Sequence, residues 1–358
     1  MDARASTLLA LLLTGIAPAV EAAPAPPQPI AVSQIQPAVE RLQQWYVPET
    51  GLWSTGGWWN APNSLTVLVD YSRVARTDAY LPAIAQVFEK NSSKDFLNGW
   101  YDDEGWWALA WIDAYDLTGK PEYLTMARTL FDDMIGGWDS TCGGGIWQLR
   151  KRVYKNAIAN ELFLSVAAHL AKRTSDPALR GEYVRWAERE WTWFQHSGMI
   201  EPNHLISDGL KNCRNKHGRE WSYNQGVILG GLAELSRVPG ARADLKAARQ
   251  TANAAIQKLS DANGILHDVC EPKCNGDGTQ FKGIFLRNLR ELEAVAPSRR
   301  YTRFIDANSA SILKNDQSGD HAFGQVWSGP PSVPNAVAQT SAIDALVAAL
   351  MLESYEPN

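Results

Sequence analysis

Residues 104–134 read EGWWALAWIDAYDLTGKPEYLTMARTLFDDM. The stretch divides at Gly119-Lys120-Pro121, a sequence that stops a helix. Before the break, apolar residues fall almost all the way round a helix, which predicts burial on several sides. After it, Leu124, Ala127, Leu130, Phe131 and Met134 share one face, opposite Arg128, Asp132 and Asp133, the pattern of a half-exposed helix. The local unit is therefore a buried helix followed by an amphipathic one.

Working outward, the unit recurs in degenerate form. Apolar stretches of helical length open at Asn63 (NSLTVLVDYSRVARTDAYL), Glu104 and Asn156 (NAIANELFLSVAAHL), and again at Tyr223 (YNQGVILGGLAEL), Gln280 (QFKGIFLRNLREL) and Ala336 (AVAQTSAIDALVAALML). Breakers such as Asp78 or Pro239-Gly240 end most of them. The following helices often open near a tyrosine: Tyr80, Tyr123, Tyr183 and Tyr301. With Ser33 to Tyr46 added at the start, the pattern predicts about twelve helices in pairs spaced by roughly 40 to 70 residues. Strand signals are few. An open helical-repeat array would expose both sides of each layer, whereas fully apolar first helices call for a closed inner ring. The expected fold is all-α, a single (α/α)6 barrel over residues 33–354, with six inner and six outer helices.

The whole chain has 358 residues, 34 Lys plus Arg against 39 Asp plus Glu, and a net charge of −5. That balance argues against a nucleic-acid partner, which needs a basic field, and the 45% apolar content excludes a disordered chain. The 15 Trp are expected to fill a large core or line a cleft. Residues 1–23 read as a signal peptide: Arg4, the apolar run Thr7 to Ala17, then small residues up to a cleavage point at Ala22 or Ala23. Residues 24–32 form a Pro-rich linker, and 33–358 a single catalytic domain. No later run reaches membrane-spanning length, and LESYEPN at the end lacks the hydrophobic tail of a lipid-anchor signal. The expectation is a secreted, extracellular, soluble monomer.

Cys142, Cys213, Cys270 and Cys274 fit two disulfides in an exported chain. Of three pairings, the short CEPKC loop favours Cys270–Cys274 and, by elimination, Cys142–Cys213. A zinc site from His267, Cys270 and Cys274 is the rival, and it lacks a fourth ligand.

In such a barrel the N-terminal ends of the inner helices gather on one face with their free N–H groups. Just before or at those ends stand Trp58-Trp59-Asn60, Asp102-Asp103-Glu104, Lys155-Asn156, Tyr223-Asn224-Gln225, Phe281-Lys282 and Gln339-Thr340. Aromatic planes beside amides and carboxylates suit a sugar, whose C–H faces stack and whose hydroxyls need hydrogen bonds. Trp59 and Asn60 are the candidate platform and hydroxyl contact. Asn156, Tyr223, Asn224 and Lys282 hold equivalent positions on their own helices, and Asp208 in ISDGL either binds a hydroxyl or braces its loop.

YDDEGWW, from Tyr101 to Trp107, is the sharpest motif. A single acid there would serve as a helix cap; adjacent acids between aromatics suit catalysis better. Glycoside hydrolysis needs two carboxyls with different tasks, one protonating the leaving oxygen and the other attacking the anomeric carbon or activating water. Neighbouring carboxylates resist joint ionisation, so one keeps a proton and the pair titrates as a unit. Adjacency suits the roughly 5 Å separation of retaining enzymes better than the wider inverting one. Asp132-Asp133 reads as a solvated pair on an outer helix. NGDGTQ (275–280) reads as a turn rather than a calcium loop. TCGGGIW (141–147) reads as a loop whose glycines let the backbone approach the cleft. The histidines lack any nucleophile-elbow context. Carboxyl chemistry of this kind implies no cofactor and no metal.

The succession YDDEGWWALAWIDAYDLTG, TCGGGIW, KNAIANELFL, LISDGL, YNQGVILGGLAEL and FKGIF resembles glycoside hydrolase family 76, the endo-α-1,6-mannanases, over roughly residues 45–350. The resemblance implies the same barrel and retaining endo-hydrolysis of α-1,6-linked mannan through a covalent glycosyl-enzyme. It makes Asp102 the nucleophile and Asp103 the acid/base, with α-mannan or a related α-mannoside oligosaccharide as partner. TCGGG and CEPKC look like fungal members. Some of these are thought to transfer glycan anchors to wall polymers, so a transglycosylase acting on α-mannose-containing glycans is the alternative. A lectin-like binder and a polysaccharide lyase are further readings. The adjacent acids argue against the first, and the scarcity of basic residues near the cleft argues against the second.

Overall fold

The computed structural model describes residues 30–353. The signal-peptide reading and most of the proposed linker fall outside them. Twelve α-helices occur among the described residues: α1 Val32–Gln43, α2 Asn60–Ala75, α3 Leu81–Asn91, α4 Tyr101–Thr118, α5 Pro121–Ile135, α6 Ala157–Lys172, α7 Pro177–His196, α8 Ser222–Ser236, α9 Leu245–Lys258, α10 Phe281–Val295, α11 Arg299–Ser311 and α12 Ala336–Glu353. The even-numbered helices form a ring in which α2 packs on α4, α4 on α6, α6 on α8, α8 on α10, α10 on α12, and α12 on α2. The odd-numbered helices lie outside it, α1 covering α12 near the seam. This is the (α/α)6 barrel expected from the alternation of helix types.

Packing follows the two patterns. In α5 the buried set includes Leu124, Ala127, Leu130, Phe131 and Met134, the face read from the sequence. In α8 every residue from Asn224 to Leu235 is buried, because both flanks meet neighbouring inner helices. Glycines allow the closest approaches. A Cβ at Gly226 would stand 2.7 Å from Phe285 Cα on α10, and one at Gly283 would stand 2.4 Å from Ser341 O on α12.

Side-chain caps occur in both layers, Asn156 on inner α6 among them, but four inner helices start without one. Outer helices α7, α9 and α11 begin with side-chain caps from Asp176, Asp244 and Ser298. Inner helices α2, α4, α8 and α10 follow Trp59, Trp100, Trp221 and Gln280, and none of these gives a side-chain cap.

Short pairings brace the loops on that face. β1 (Tyr46–Val47) pairs with β2 (Leu52–Trp53). β3 (Lys155–Asn156), β4 (Gly209–Lys211) and β5 (Arg214–Asn215) form a three-stranded antiparallel sheet in that order. Isolated bridges join Trp138 to Ile146, Ile200 to Ile206, and Gln317 to Phe323. Each is gripped by an inner-helix amide: Asn160 Oδ1 accepts from Ile146 N at 2.7 Å, Gln225 Oε1 from Ile206 N at 2.8 Å, and Gln339 Oε1 from Phe323 N at 2.8 Å. Gln225 and Gln339, read from the sequence as part of a sugar-binding pattern, are thus loop anchors, their amides consumed by backbone.

Disulfides join Cys142 to Cys213 and Cys270 to Cys274. Sulfurs joined in this way are not thiolates, which removes the zinc rival. His267 instead meets Glu271 at 2.6 Å.

Candidate active site

The uncapped starts of α2, α4, α8 and α10 converge on a cleft. It is lined by Trp58, Trp59, Trp100, Asp102, Asp103, Trp106, Gln148, Ile158, Tyr223, Asp277 and Phe281. Its aromatic surface is continuous. Tyr223 stacks on Phe281 with centroids 3.8 Å apart, and Trp106 lies nearly parallel to Tyr223 at 6.5 Å. Trp59 stands 6.0 Å from both Trp106 and Phe281.

Asp102 and Asp103 occupy the first turn of α4, where the helix dipole favours negative charge. Burial outweighs that effect for both, but their surroundings differ. Asp102 Oδ2 accepts from Gln148 Nε2 at 3.0 Å and Asn156 Nδ2 at 3.3 Å. Burial pushes the Asp102 carboxyl up to about 6, with these amides pulling it back. Asp103 Oδ2 accepts only from Asn98 Nδ2, at 2.6 Å. Burial, the adjacent Asp102 and, more weakly, Asp277 push its carboxyl to about 7, despite the Asn98 bond. Near pH 6 to 7 the arrangement favours an ionised Asp102 beside a protonated Asp103.

Behind them, the third acid of the motif is structural. Glu104 is fully buried and bonded to Arg150. Arg150 also meets Asp133 Oδ2 at 2.8 Å and donates through Nε to Asn98 O at 2.7 Å. This places a rigid post under Asn98, and so under Asp103. The reading of Asp133 as a merely solvated acid is corrected, because Arg150 reaches it from the loop before α6. Burial pushes Glu104 up to about 9, aided by its hydrogen bond with Asp133.

The Gly-rich loop delivers Gln148. Lys155 Nζ, buried, bonds Asp139 Oδ1 at 3.0 Å and the carbonyls of Thr141, Gly144 and Gly145 at 2.8, 2.7 and 2.8 Å. Gly145 has φ +81°, and a Cβ there would stand 2.4 Å from Trp193. Its glycine therefore serves close approach to Trp193, away from the cleft, rather than approach to the cleft itself.

Of the residues singled out in the sequence, Asp102, Asp103, Trp59 and Tyr223 line the cleft. Asn156 lies behind Asp102 and also caps α6. Asn60 is buried, its Oδ1 accepting from Gly57 N at 2.8 Å, so it shapes the turn into α2 instead of facing a ligand. Asp208 accepts the Tyr154 hydroxyl at 2.8 Å and its carbonyl takes Ala157 N, the bracing option of the two. Asn224 is buried with neither side-chain polar atom hydrogen-bonded. Lys282 is a correction: it is buried, pairs with Glu271 at 2.6 Å, donates to Gln325 O at 2.8 Å and sits over Trp327. Sequence reading missed Gln148 and Asp277 as cleft residues; both sit in loops, where helical periodicity gives no signal.

A closed helical barrel with two acids of unequal setting in an aromatic cleft defines a glycoside-hydrolase type of protein. The chain belongs to glycosyl hydrolase family 76, whose family model matches residues 40–358. It is 28% identical over 302 residues to the mannan endo-1,6-alpha-mannosidase DCW1 of Candida glabrata, a match covering 75% of this chain and 66% of that protein. It is 29% identical over 330 residues to the mannan endo-1,6-alpha-mannosidase DFG5 of Candida albicans, covering 82% of this chain and 72% of the relative. The chain thus spans about two thirds of the DCW1 length. Among solved structures, an inactive variant of the alpha-1,6-mannanase GH76A of Salegentibacter sp. HEL1_6, in complex with alpha-1,6-mannotriose, superposes with a TM-score of 0.79. It is 22% identical, and the match covers 90% of this chain and 99% of that one. Dfg5 from Chaetomium thermophilum, in complex with glucosamine, gives a TM-score of 0.80 at 20% identity, covering 91% of each chain. At these identities the structures show a shared fold.

Proposed function

We propose that the protein is an endo-acting glycoside hydrolase that cleaves α-1,6-mannosidic linkages in mannan with retention of configuration. The observation that carries this reading is the unequal setting of Asp102 and Asp103 in an aromatic cleft. The names of the curated relatives supply the substrate class.

In the proposed reaction an Asp102 carboxylate oxygen attacks the anomeric carbon as the glycosidic C–O bond breaks. Asp103 gives its proton to the departing oxygen. Asp103, now ionised, then takes a proton from water as the water oxygen attacks the same carbon. The ester bond to Asp102 breaks and both carboxyls return to their starting states. Gln148 and Asn156 favour the ionised form of Asp102 before attack. The protein acts as an exported monomer with one catalytic domain over residues 33–358. No helix among the described residues is long and apolar enough to cross a membrane.

The test is cleavage of linear α-1,6-mannan by the wild type, Asp102→Asn and Asp103→Asn, with product anomers followed by NMR. Loss of about 10³-fold or more in each variant and initial release of the α-anomer are expected. Full activity in either variant, or initial release of the β-anomer, overturns the assignment. A product mixture dominated by transfer to added acceptor sugar points to the transglycosylase instead.

A further inference from the structure

We propose that Asp277 is a third working carboxylate of the cleft, fixing the Trp59 ring with one oxygen and accepting a hydroxyl of the sugar stacked on that ring with the other. The inference rests on the glycosidase reading above.

Asp277 belongs to the loop between α9 and α10 and lines the same cleft as Asp102 and Asp103. Trp59 Nε1 donates to its Oδ1 at 2.7 Å. Trp59 stands at the start of α2, and α12 lies between α2 and α10 in the ring. The bond therefore spans an intervening helix and ties two sides of the cleft rim together. A half-buried indole can rotate; one held at its N–H keeps a fixed face for stacking.

The loop is built to hold that carboxylate. The Cys270–Cys274 disulfide closes it, Gly278 N donates to Asn275 Oδ1 at 3.1 Å, and Gln280 N donates to Asp277 O at 3.0 Å. A Cβ at Gly278 would stand 2.7 Å from Cys270 Sγ, so the disulfide packs directly on the residue after Asp277. Asp277 itself is exposed at the rim. A carboxylate beside a stacked pyranose has the usual means of sugar recognition, an acceptor for a hydroxyl at the edge of a ring whose face is covered.

Its charge also reaches the acid/base. Asp103 faces Asp102 on its own helix, Asn98 from the preceding loop and Asp277 from the loop before α10, and the Asp277 charge helps to hold its carboxyl up. Asp277 is thus a positioning residue for Asp103 and Trp59 as well as a contact for sugar.

The experiment compares wild type, Asp277→Ala and Asp277→Asn on linear α-1,6-mannan oligosaccharides. It reads kcat and KM across pH 4 to 9, with thermal melting as a check on folding. Asp277→Ala is expected to raise KM about tenfold or more with a smaller change in kcat, since it loses contacts made to bound sugar. Asp277→Asn keeps an oxygen for Trp59 but loses the charge. Its KM is expected to rise less, and the alkaline limb of its kcat/KM profile to move to lower pH as the Asp103 carboxyl loses a repelling neighbour. Variants that melt like the wild type, keep KM within twofold and give a superimposable pH profile overturn this inference alone. A wild type that neither binds nor cleaves these oligosaccharides overturns the functional reading and this inference with it.

Discussion

Replacing Asp103 by Asn should stabilise the protein while stopping its reaction, and the gain should depend on pH. Burial and the neighbouring Asp102 raise the Asp103 carboxyl from 3.8 to about 7. Folding therefore favours its protonated form. The associated stability is fully present below about pH 4 and is lost as pH rises through 7. Moving that carboxyl from 3.8 to about 7 corresponds to about 4 kcal/mol once both states are ionised. Asparagine cannot ionise, and its oxygen can still accept from Asn98, so most of that loss is avoided. Leaving an amide in a partly dry site takes back part of the benefit. A net gain of about 2 kcal/mol at pH 8 is expected, or roughly 3 °C in melting temperature for a domain of this size. The assay is tryptophan-monitored thermal melting of both proteins at pH 4, 6 and 8. The variant should lie about 1 to 2 kcal/mol below the wild type at pH 4, rise above it by pH 6 and level off above 7. A gain that stays flat across this range, or a variant that melts below the wild type at pH 8, refutes the claim that folding strains this carboxylate.

Three further outcomes follow from the same geometry. Asn98→Ala removes the 2.6 Å bond to Asp103, which favours the ionised form; the alkaline limb of kcat/KM should move to higher pH, and kcat should fall about tenfold, as read from pH–rate profiles. Lys155→Met leaves Asp139 and the carbonyls of Thr141, Gly144 and Gly145 without their buried ammonium, and chemical denaturation should show a loss of about 3 to 5 kcal/mol. Gly283→Ala drives a methyl toward Ser341 O at 2.4 Å across the α10–α12 contact; a melt should register a loss of about 1 to 3 kcal/mol, whereas Gly276→Ala, with open space around it, should leave stability within about 0.5 kcal/mol.

The barrel was legible because burial on two flanks leaves a mark on sequence: inner helices such as α8 are apolar almost all round, and outer ones such as α5 on a single face. The adjacent acids were legible because their spacing is local. Contacts made by loops were not. The hydrogen bond from Trp59 to Asp277 joins residues 218 apart, and no periodic signal connects them. Polar residues at helix starts misled for a related reason. Gln225, Gln339 and Lys282 look like ligand-facing groups in sequence, yet each satisfies a buried backbone carbonyl, N–H or carboxylate. Sequence shows that a polar group stands at the rim; only the packed loops show whether protein has already claimed it.

The contact between α12 and α2 closes the ring with the last helix to be synthesised among the described residues. During synthesis, the flank of α2 that α12 will cover has no partner until nearly the whole polypeptide has emerged. A ribosome-bound intermediate therefore carries an apolar, open arc until α12 arrives. Stop codons within α12 should therefore yield a chain that is cleared by proteolysis even though every residue lining the cleft has already been made.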